Sequence, residues 1–204
     1  MREQLPAPLA AALITHRDPA FTLLIKQVGP PPTRRPAPVE QRFAALVRSI
    51  CFQLLATKAA ETIHARVVAL CDGQVNIGQV LALGPEILRS AGLSRAKAAA
   101  IVELAEYCGE GRVALARHGR MNDDAVIEDV SSVRGIGPWT AQMYLMFTLA
   151  RHDVWPCGDL GVRNGWSRIH GLDELVSSFD LHLAGEDFVG VRSTLAWYCW
   201  RALE

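Results

Sequence analysis

An acidic residue, Asp159, stands in the run Trp155-Pro156-Cys157-Gly158-Asp159-Leu160-Gly161, 20 residues beyond Trp139 of Val133-Arg134-Gly135-Ile136-Gly137-Pro138-Trp139-Thr140-Ala141. The second run has the makings of a tight turn that opens a helix. Glycine permits positive φ or close backbone approach, and proline suits the first helical turn. N–H groups at such a turn attract an anion through unpaired donors and the helix dipole. A helix of about 12 residues, roughly 18 Å long, plus a return loop fits between Trp139 and Asp159. A phosphate-holding turn one helix away from a lone carboxylate points to chemistry on the sugar or backbone of a nucleic acid. Taken singly, each part has a plainer reading. A Gly-x-Gly turn is more often a simple helix–helix connection, and an Asp before a helical stretch is more often an N-cap.

The elements that must position these residues read as almost entirely helical. Phe43, Leu46, Val47, Ile50 and Leu54 recur at three- and four-residue spacings, predicting a helix over 40–58 that breaks near Thr57, with a second over Ala59–Leu70. Asn76–Leu83 is a short helix or turn, and Pro85 begins another that ends near Gly92. Ser94 can cap a helix reaching Gly109, Asp123 or Asp124 can cap Ala125–Val130, and Pro138 starts Trp139–Ala150. No stretch alternates cleanly enough to require a strand. Val28–Pro38, with Gly29 and a run of prolines, is a rigid linker that marks a lobe boundary. No internal repeat is present.

With 204 residues, 50% of them apolar, and five tryptophans, the chain can bury a sizeable core and is not expected to be disordered. No apolar run is long enough to span a bilayer. Met1-Arg2-Glu3-Gln4-Leu5-Pro6 lacks the continuous apolar segment of a signal peptide, so a soluble cytoplasmic protein is expected. The five cysteines (Cys51, Cys71, Cys108, Cys157, Cys199) form no CxxC pair, and the six histidines show no ligand spacing. That argues against a disulfide framework and against zinc or iron–sulfur sites. Lys plus Arg equals Asp plus Glu, 21 each, which counts mildly against nucleic-acid binding. Charge is uneven along the chain, however. Asp123, Asp124, Glu128 and Asp129 cluster, whereas Arg134, Arg151, Arg163 and Arg168 dominate 131–170 and could give a local basic face.

Over roughly residues 40–204 the chain resembles the helix–hairpin–helix (HhH-GPD) DNA glycosylases, and among them the 3-methyladenine (alkylbase) DNA glycosylase II family. The resemblance rests on ordered blocks: Phe52-Gln53-Leu54-Leu55-Ala56, Ala91-Gly92-Leu93-Ser94-Arg95-Ala96-Lys97-Ala98, the glycine hairpin, Asp153 to Gly161, and Arg192-Ser193 with Trp200. It implies an all-α fold of two helical lobes flanking a DNA-binding cleft, in a compact form without the N-terminal β domain of longer relatives. A single domain over 1–204 follows, with lobes at 40–137 and at 1–39 plus 138–204. The partner implied is double-stranded DNA bearing alkylated bases, met by a monomer.

By the same resemblance Asp159 is the catalytic aspartate, and Trp139, Trp200, Met143 and Leu160 line the base pocket. Gln53 and Leu54 enter the gap left by the flipped nucleotide, although spacing alone favours Leu54 as part of the core stripe of its helix. Arg134, Gly135, Ile136, Gly137 and Thr140 hold the DNA phosphate. No cofactor is implied beyond a structural monovalent cation on the carbonyls of Ser131, Val133 and Ile136. Strand-cutting relatives carry a Schiff-base lysine where Trp139 stands, and a four-cysteine cluster is missing, so a monofunctional hydrolase releasing 3-methyladenine and 7-methylguanine is expected. Departures from the family pattern at Arg134, Leu55-Ala56, Met143, Leu160 and Gly190-Val191-Arg192-Ser193 imply an altered damage spectrum. Two other readings stay open: the same chemistry on oxidised, deaminated or mismatched bases, and a damage-binding protein without catalysis.

Overall fold

The computed structural model describes residues 5–204, all helix and loop among those residues. The very start of the chain, read above for a leader, lies outside them. The helices are α1 (Ala7–Arg17), α2 (Thr22–Val28), α3 (Val39–Phe52), α4 (Thr57–Leu70), α5 (Ile77–Arg89), α6 (Arg95–Gly109), α7 (Asp123–Ser131), α8 (Pro138–Phe147), α9 (Leu160–Ile169), α10 (Ser178–Ala184) and α11 (Arg192–Arg201). No helix among the described residues is long and apolar enough to cross a membrane.

The chain divides into two compact units. One is Arg35–Leu149, and the other is the described part of Met1–Arg34 together with Ala150–Glu204. The boundary therefore falls after α8, not at 137/138. The reason is burial: Thr140, Ala141, Met143, Tyr144, Leu145 and Met146 of α8 are all buried, and α8 packs on α3 and α7. A helix with so wide an apolar face has to stay with the core that covers it.

In the unit 35–149 the periodic residues of α3 form the centre, with Leu46, Val47 and Ile50 at zero exposure. Ser94 caps α6 by accepting from Lys97 N–H at 3.3 Å, as its sequence position predicts. Two expectations shift by a residue or more. Asn122, not Asp123 or Asp124, is the N-cap of α7, its Oδ1 accepting from Ala125 N–H at 2.8 Å. The Pro85 helix is joined to the preceding one as α5, bent at Gly84 (φ 66°, ψ 175°).

A buried polar cluster that the sequence did not reveal also ties this unit together. His118 is fully buried and contacts the Asp129 carboxylate at 2.6 Å and the Tyr144 hydroxyl at 3.0 Å. A carboxylate only accepts, so Nε2 carries the proton and Nδ1 accepts from Tyr144. Burial pushes the His118 pKa down and outweighs the Asp129 hydrogen bond, which acts upward. Asp129 also accepts from Ala114 N–H at 2.9 Å. It is thus a structural partner rather than part of a solvated acidic face.

In the other unit α9 lies against α11. Gly165 is buried there, and a Cβ on it would stand 1.9 Å from the Cys199 carbonyl oxygen. Only a residue without a side chain lets the two helices approach so closely. Trp155 is buried over Gly185, its indole N–H donating to Leu181 O at 2.8 Å.

Candidate functional site

The hairpin lies wholly in the unit 35–149. α7 ends at Ser131, Val133 and Ile136 are buried, and α8 starts at Pro138. Ile136 anchors the turn in the core, as its position between two glycines suggests. Gly135 is at φ 92°, and a Cβ there would be 3.1 Å from the Cβ of Ala100. Glycine is needed at 135 on both counts. Gly137 differs: its φ is −91° and a Cβ would meet nothing within 4 Å. Nothing in the protein itself demands glycine at 137, whose outer side is open to a group from outside.

Gly137 is the N-cap of α8 and makes no side-chain cap bond, and the first backbone bond into the helix is Ala141 N–H to Gly137 O at 3.2 Å. The N–H groups of Gly137, Trp139 and Thr140 thus precede the helical ladder, where an anion is favoured. The Ile136 N–H is bonded to Val133 O at 3.1 Å, so it is not available to a phosphate. Thr140 is buried, and its Oγ1 accepts from the Gln53 side-chain amide at 2.8 Å. Its hydroxyl faces the protein, leaving only its main-chain N–H for the phosphate role. Arg134 is exposed, and its own N–H donates to Glu103 at 3.2 Å. Of the other arginines expected on a basic face, Arg168 is exposed but Arg163 is turned inward, its Nε donating to Val176 O at 2.7 Å.

The loop after α3 excludes one of the two readings of Leu54. The buried stripe stops at Cys51 and the helix at Phe52, and Leu54 is 102% exposed with φ 53°. A left-handed leucine costs about 1–2 kcal/mol, and a fully exposed one contributes nothing to the core. Leu54 is therefore not core. Gln53 does not project beside it. Its amide donates to Gly135 O at 3.0 Å and to Thr140 Oγ1, tying the loop to the hairpin. Met143 is buried in α8, and Trp139 is half-buried at its start.

The carboxylate belongs to the other unit. Asp153 accepts from Arg192 in a two-point pair at 2.8 and 3.1 Å and from Gly190 N–H at 2.7 Å. Ser193 Oγ accepts from Val154 N–H at 2.9 Å. These bonds fix the loop 153–159 to the N-terminus of α11. The loop turns through Asp159 N–H to Pro156 O, 2.9 Å, and α9 begins. Asp159 is the N-cap of α9: its Oδ1 accepts from Val162 N–H at 2.8 Å and also from the Trp200 indole N–H at 2.9 Å. Two donors on one oxygen fix the plane of the carboxylate. The cap and the functional reading of Asp159 are thus compatible. Leu160, the next residue, is 60% exposed.

Sequence reasoning assigned Trp200 an aromatic face and missed its N–H. A signal was present in Gly161 and Gly165, four apart on α9, which marks a helix face approached closely by another element. A Cβ on Gly161 would stand 2.9 Å from Trp200 Cδ1, 3.0 Å from its Nε1 and 3.1 Å from Asp159 Oδ1. Gly161→Ala is expected to push the indole off Asp159. Turnover should fall about tenfold, the value of one lost hydrogen bond to a charged group, with quenching of Trp200 fluorescence altered and the helical circular dichroism unchanged.

Residues 47–180 match the family described as HhH-GPD superfamily base excision DNA repair protein. The chain belongs to the HhH-GPD superfamily. It is 29% identical over 187 residues to DNA-3-methyladenine glycosylase 1 of Schizosaccharomyces pombe, covering 90% of this chain and 82% of that relative. Among solved structures, the S. pombe 3-methyladenine DNA glycosylase (Mag1) in complex with abasic DNA has a TM-score of 0.87 at 29% identity, with 94% of this chain and 95% of that chain covered. A DNA-3-methyladenine glycosidase from Bacillus halodurans follows the same course at 30% identity, TM-score 0.78, with 95% and 88% of the two chains covered. The all-helical, strandless architecture of the described residues is thus that of the HhH-GPD superfamily.

Proposed function

We propose that this HhH-GPD chain is a monofunctional DNA glycosylase that hydrolyses the N-glycosidic bond of alkylated purines in double-stranded DNA, acting as a monomer. The observation that carries the reading is Asp159, whose Oδ1 is fixed by Val162 N–H and the Trp200 indole at the head of α9. The names of its S. pombe and B. halodurans relatives support the substrate class.

In the reaction, the bond from C1′ to the base nitrogen breaks and the base leaves with the electron pair. A methylated purine carries positive charge beforehand and departs neutral, so no strong general acid is needed. Positive charge develops on the deoxyribose, and a pre-oriented carboxylate stabilises it without reorganising. Water then adds to C1′ and loses a proton, to Asp159 or to solvent, leaving an abasic sugar and free base. Trp139 has no amine to form a Schiff base with that sugar, so the strand is left intact.

The bound DNA is held by the N–H groups at Gly137, Trp139 and Thr140 and by Arg134. The carbonyls of Ser131, Val133 and Ile136 would hold a monovalent cation, which would supply positive charge to screen a DNA phosphate. Leu54 fills the gap in the stack, since a base inside a duplex has to be flipped out before it can react. Trp200, bonded to the Asp159 carboxylate, offers an indole face to a cationic base, worth about 1–2 kcal/mol for a well-placed ring. The test is incubation with broadly methylated duplex DNA and chromatography of what is released. Free 3-methyladenine and 7-methylguanine are expected. Binding without any free base, or release only from oxidised or deaminated DNA, would overturn the reading.

A further inference from the structure

We propose that Lys97 and Gln53 are positioning residues that hold the Leu54 turn at a fixed distance from the hairpin, so that gripping the phosphate and entering the base stack are one rigid act. The proposal rests on the glycosylase reading for its purpose, though not for its geometry. Three residues on one face of α6, at i, i+3 and i+6, meet the two functional loops. Lys97 Nζ donates to Cys51 O at 3.0 Å and to Gln53 O at 2.6 Å, covering the last carbonyls of α3 and the peptide that leads into Leu54. Ala100 lies directly under Gly135. Glu103 accepts from the main-chain N–H of Arg134. The Gln53 side chain closes the frame from the opposite direction, through Gly135 O and Thr140 Oγ1.

Gln53 is thus held by both its carbonyl and its side chain, immediately before a leucine that is left-handed and fully exposed. Neither property of Leu54 favours folding. A strained, solvated apolar residue persists only when its surroundings over-determine it, and the bonds through Lys97 and Gln53 do that. An ammonium suits the place. It carries charge to the C-terminal end of α3, where the helix dipole favours a cation, and has more than one donor for the two carbonyls. The functional consequence is preorganisation: a loose Leu54 would have to be ordered on each encounter with DNA.

The test separates this role from simple folding and from catalysis. Duplex DNA with a stable abasic analogue opposite 2-aminopurine reports unstacking by fluorescence whether or not a base is released. Lys97→Met keeps the apolar stem and removes the donors. It is expected to cut the fluorescence gain at least about fivefold while duplex Kd weakens no more than about threefold. Lys97→Arg, which keeps a cation with more than one donor, should restore most of the gain. Gln53→Ala, which leaves α6 untouched, should reproduce the loss and covers the case in which Lys97→Met fails to fold. A full fluorescence gain in both Lys97→Met and Gln53→Ala would overturn the proposal, as would failure of Lys97→Arg to restore any. If the wild-type protein gives no gain, Leu54 does not enter the stack and the proposal falls. Release of free base from broadly methylated duplex DNA would still uphold the glycosylase reading.

Discussion

Asp159→Asn is expected to lower single-turnover base release by about 10²–10³-fold, the loss typical when one preorganised electrostatic contact to a transition state is removed. The substitution is informative because it separates the two roles the residue holds. As the N-cap of α9, Asp159 accepts from Val162 N–H. Asparagine caps helices about as well as aspartate, and its side-chain oxygen can take the same bond and the indole N–H of Trp200. The fold should therefore be unchanged, with a melting temperature within about 2 °C of wild type, a shift of roughly half a kcal/mol or less. What is lost is the negative charge that the proposed mechanism sets beside C1′. Affinity for undamaged duplex should not fall, since the phosphate contacts proposed above belong to the hairpin. If rate and stability both stay at wild-type values, Asp159 is a cap and nothing more. If stability collapses together with rate, the experiment should be repeated with Asp159→Ser, which also caps.

How much of this was legible in the sequence varies from element to element, for physical reasons. Helix α6 could be read in full because its signals are local: Ser94 bonds the N–H three residues on, and the apolar residues repeat at helical spacing. Ile136 was legible as an anchor because a branched apolar residue between two glycines has few other uses. Leu54 was ambiguous because periodicity continues in the letters after the backbone has left the helix. The turn is set by Lys97, more than forty positions away, which no window around Leu54 contains. The same holds for Asp129, which stands beside Glu128 in sequence while its partners, His118 and the main chain of Ala114, lie in the preceding loop. Thr140 and Gln53 were each assigned outward roles from motif position, yet they bond each other. A motif records which residue types recur, and an inward support recurs as faithfully as an outward contact.

The lobe boundary failed for a related reason. A proline that starts a helix reads as a break in the chain, but a break in hydrogen bonding is not a break in packing. Pro138 starts α8, whose apolar face lies within the unit 35–149 up to Leu149. Only burial decides which core owns a helix.

Gly165→Ala is the substitution expected to do most damage to stability. Its Cβ would sit 1.9 Å from Cys199 O, 2.5 Å from the Cys199 carbonyl carbon and 2.8 Å from its Cα. All three are backbone atoms of α11, so no rotamer change relieves the clash and α9 and α11 must move apart as bodies. Overpacking of ordinary core positions costs about 1–3 kcal/mol. A backbone-to-backbone collision belongs at or above the top of that range, about 3 kcal/mol or more, or roughly 6–12 °C in melting temperature for a chain of this size. The damage reaches the carboxylate too. Asp159 heads α9 and Trp200 follows Cys199 on α11, so separating the helices lengthens the 2.9 Å bond between them. Base release should fall in the fraction that remains folded, whereas Gly78→Ala, exposed in α5 with only a 3.4 Å neighbour at its Cβ, should leave both stability and rate near wild type. Thermal denaturation followed by circular dichroism, paired with single-turnover rates well below the melting temperature, measures both effects. A Gly165→Ala protein as stable and as fast as wild type would mean that the α9–α11 contact is looser than the geometry requires, and that the alignment of Asp159 does not depend on it.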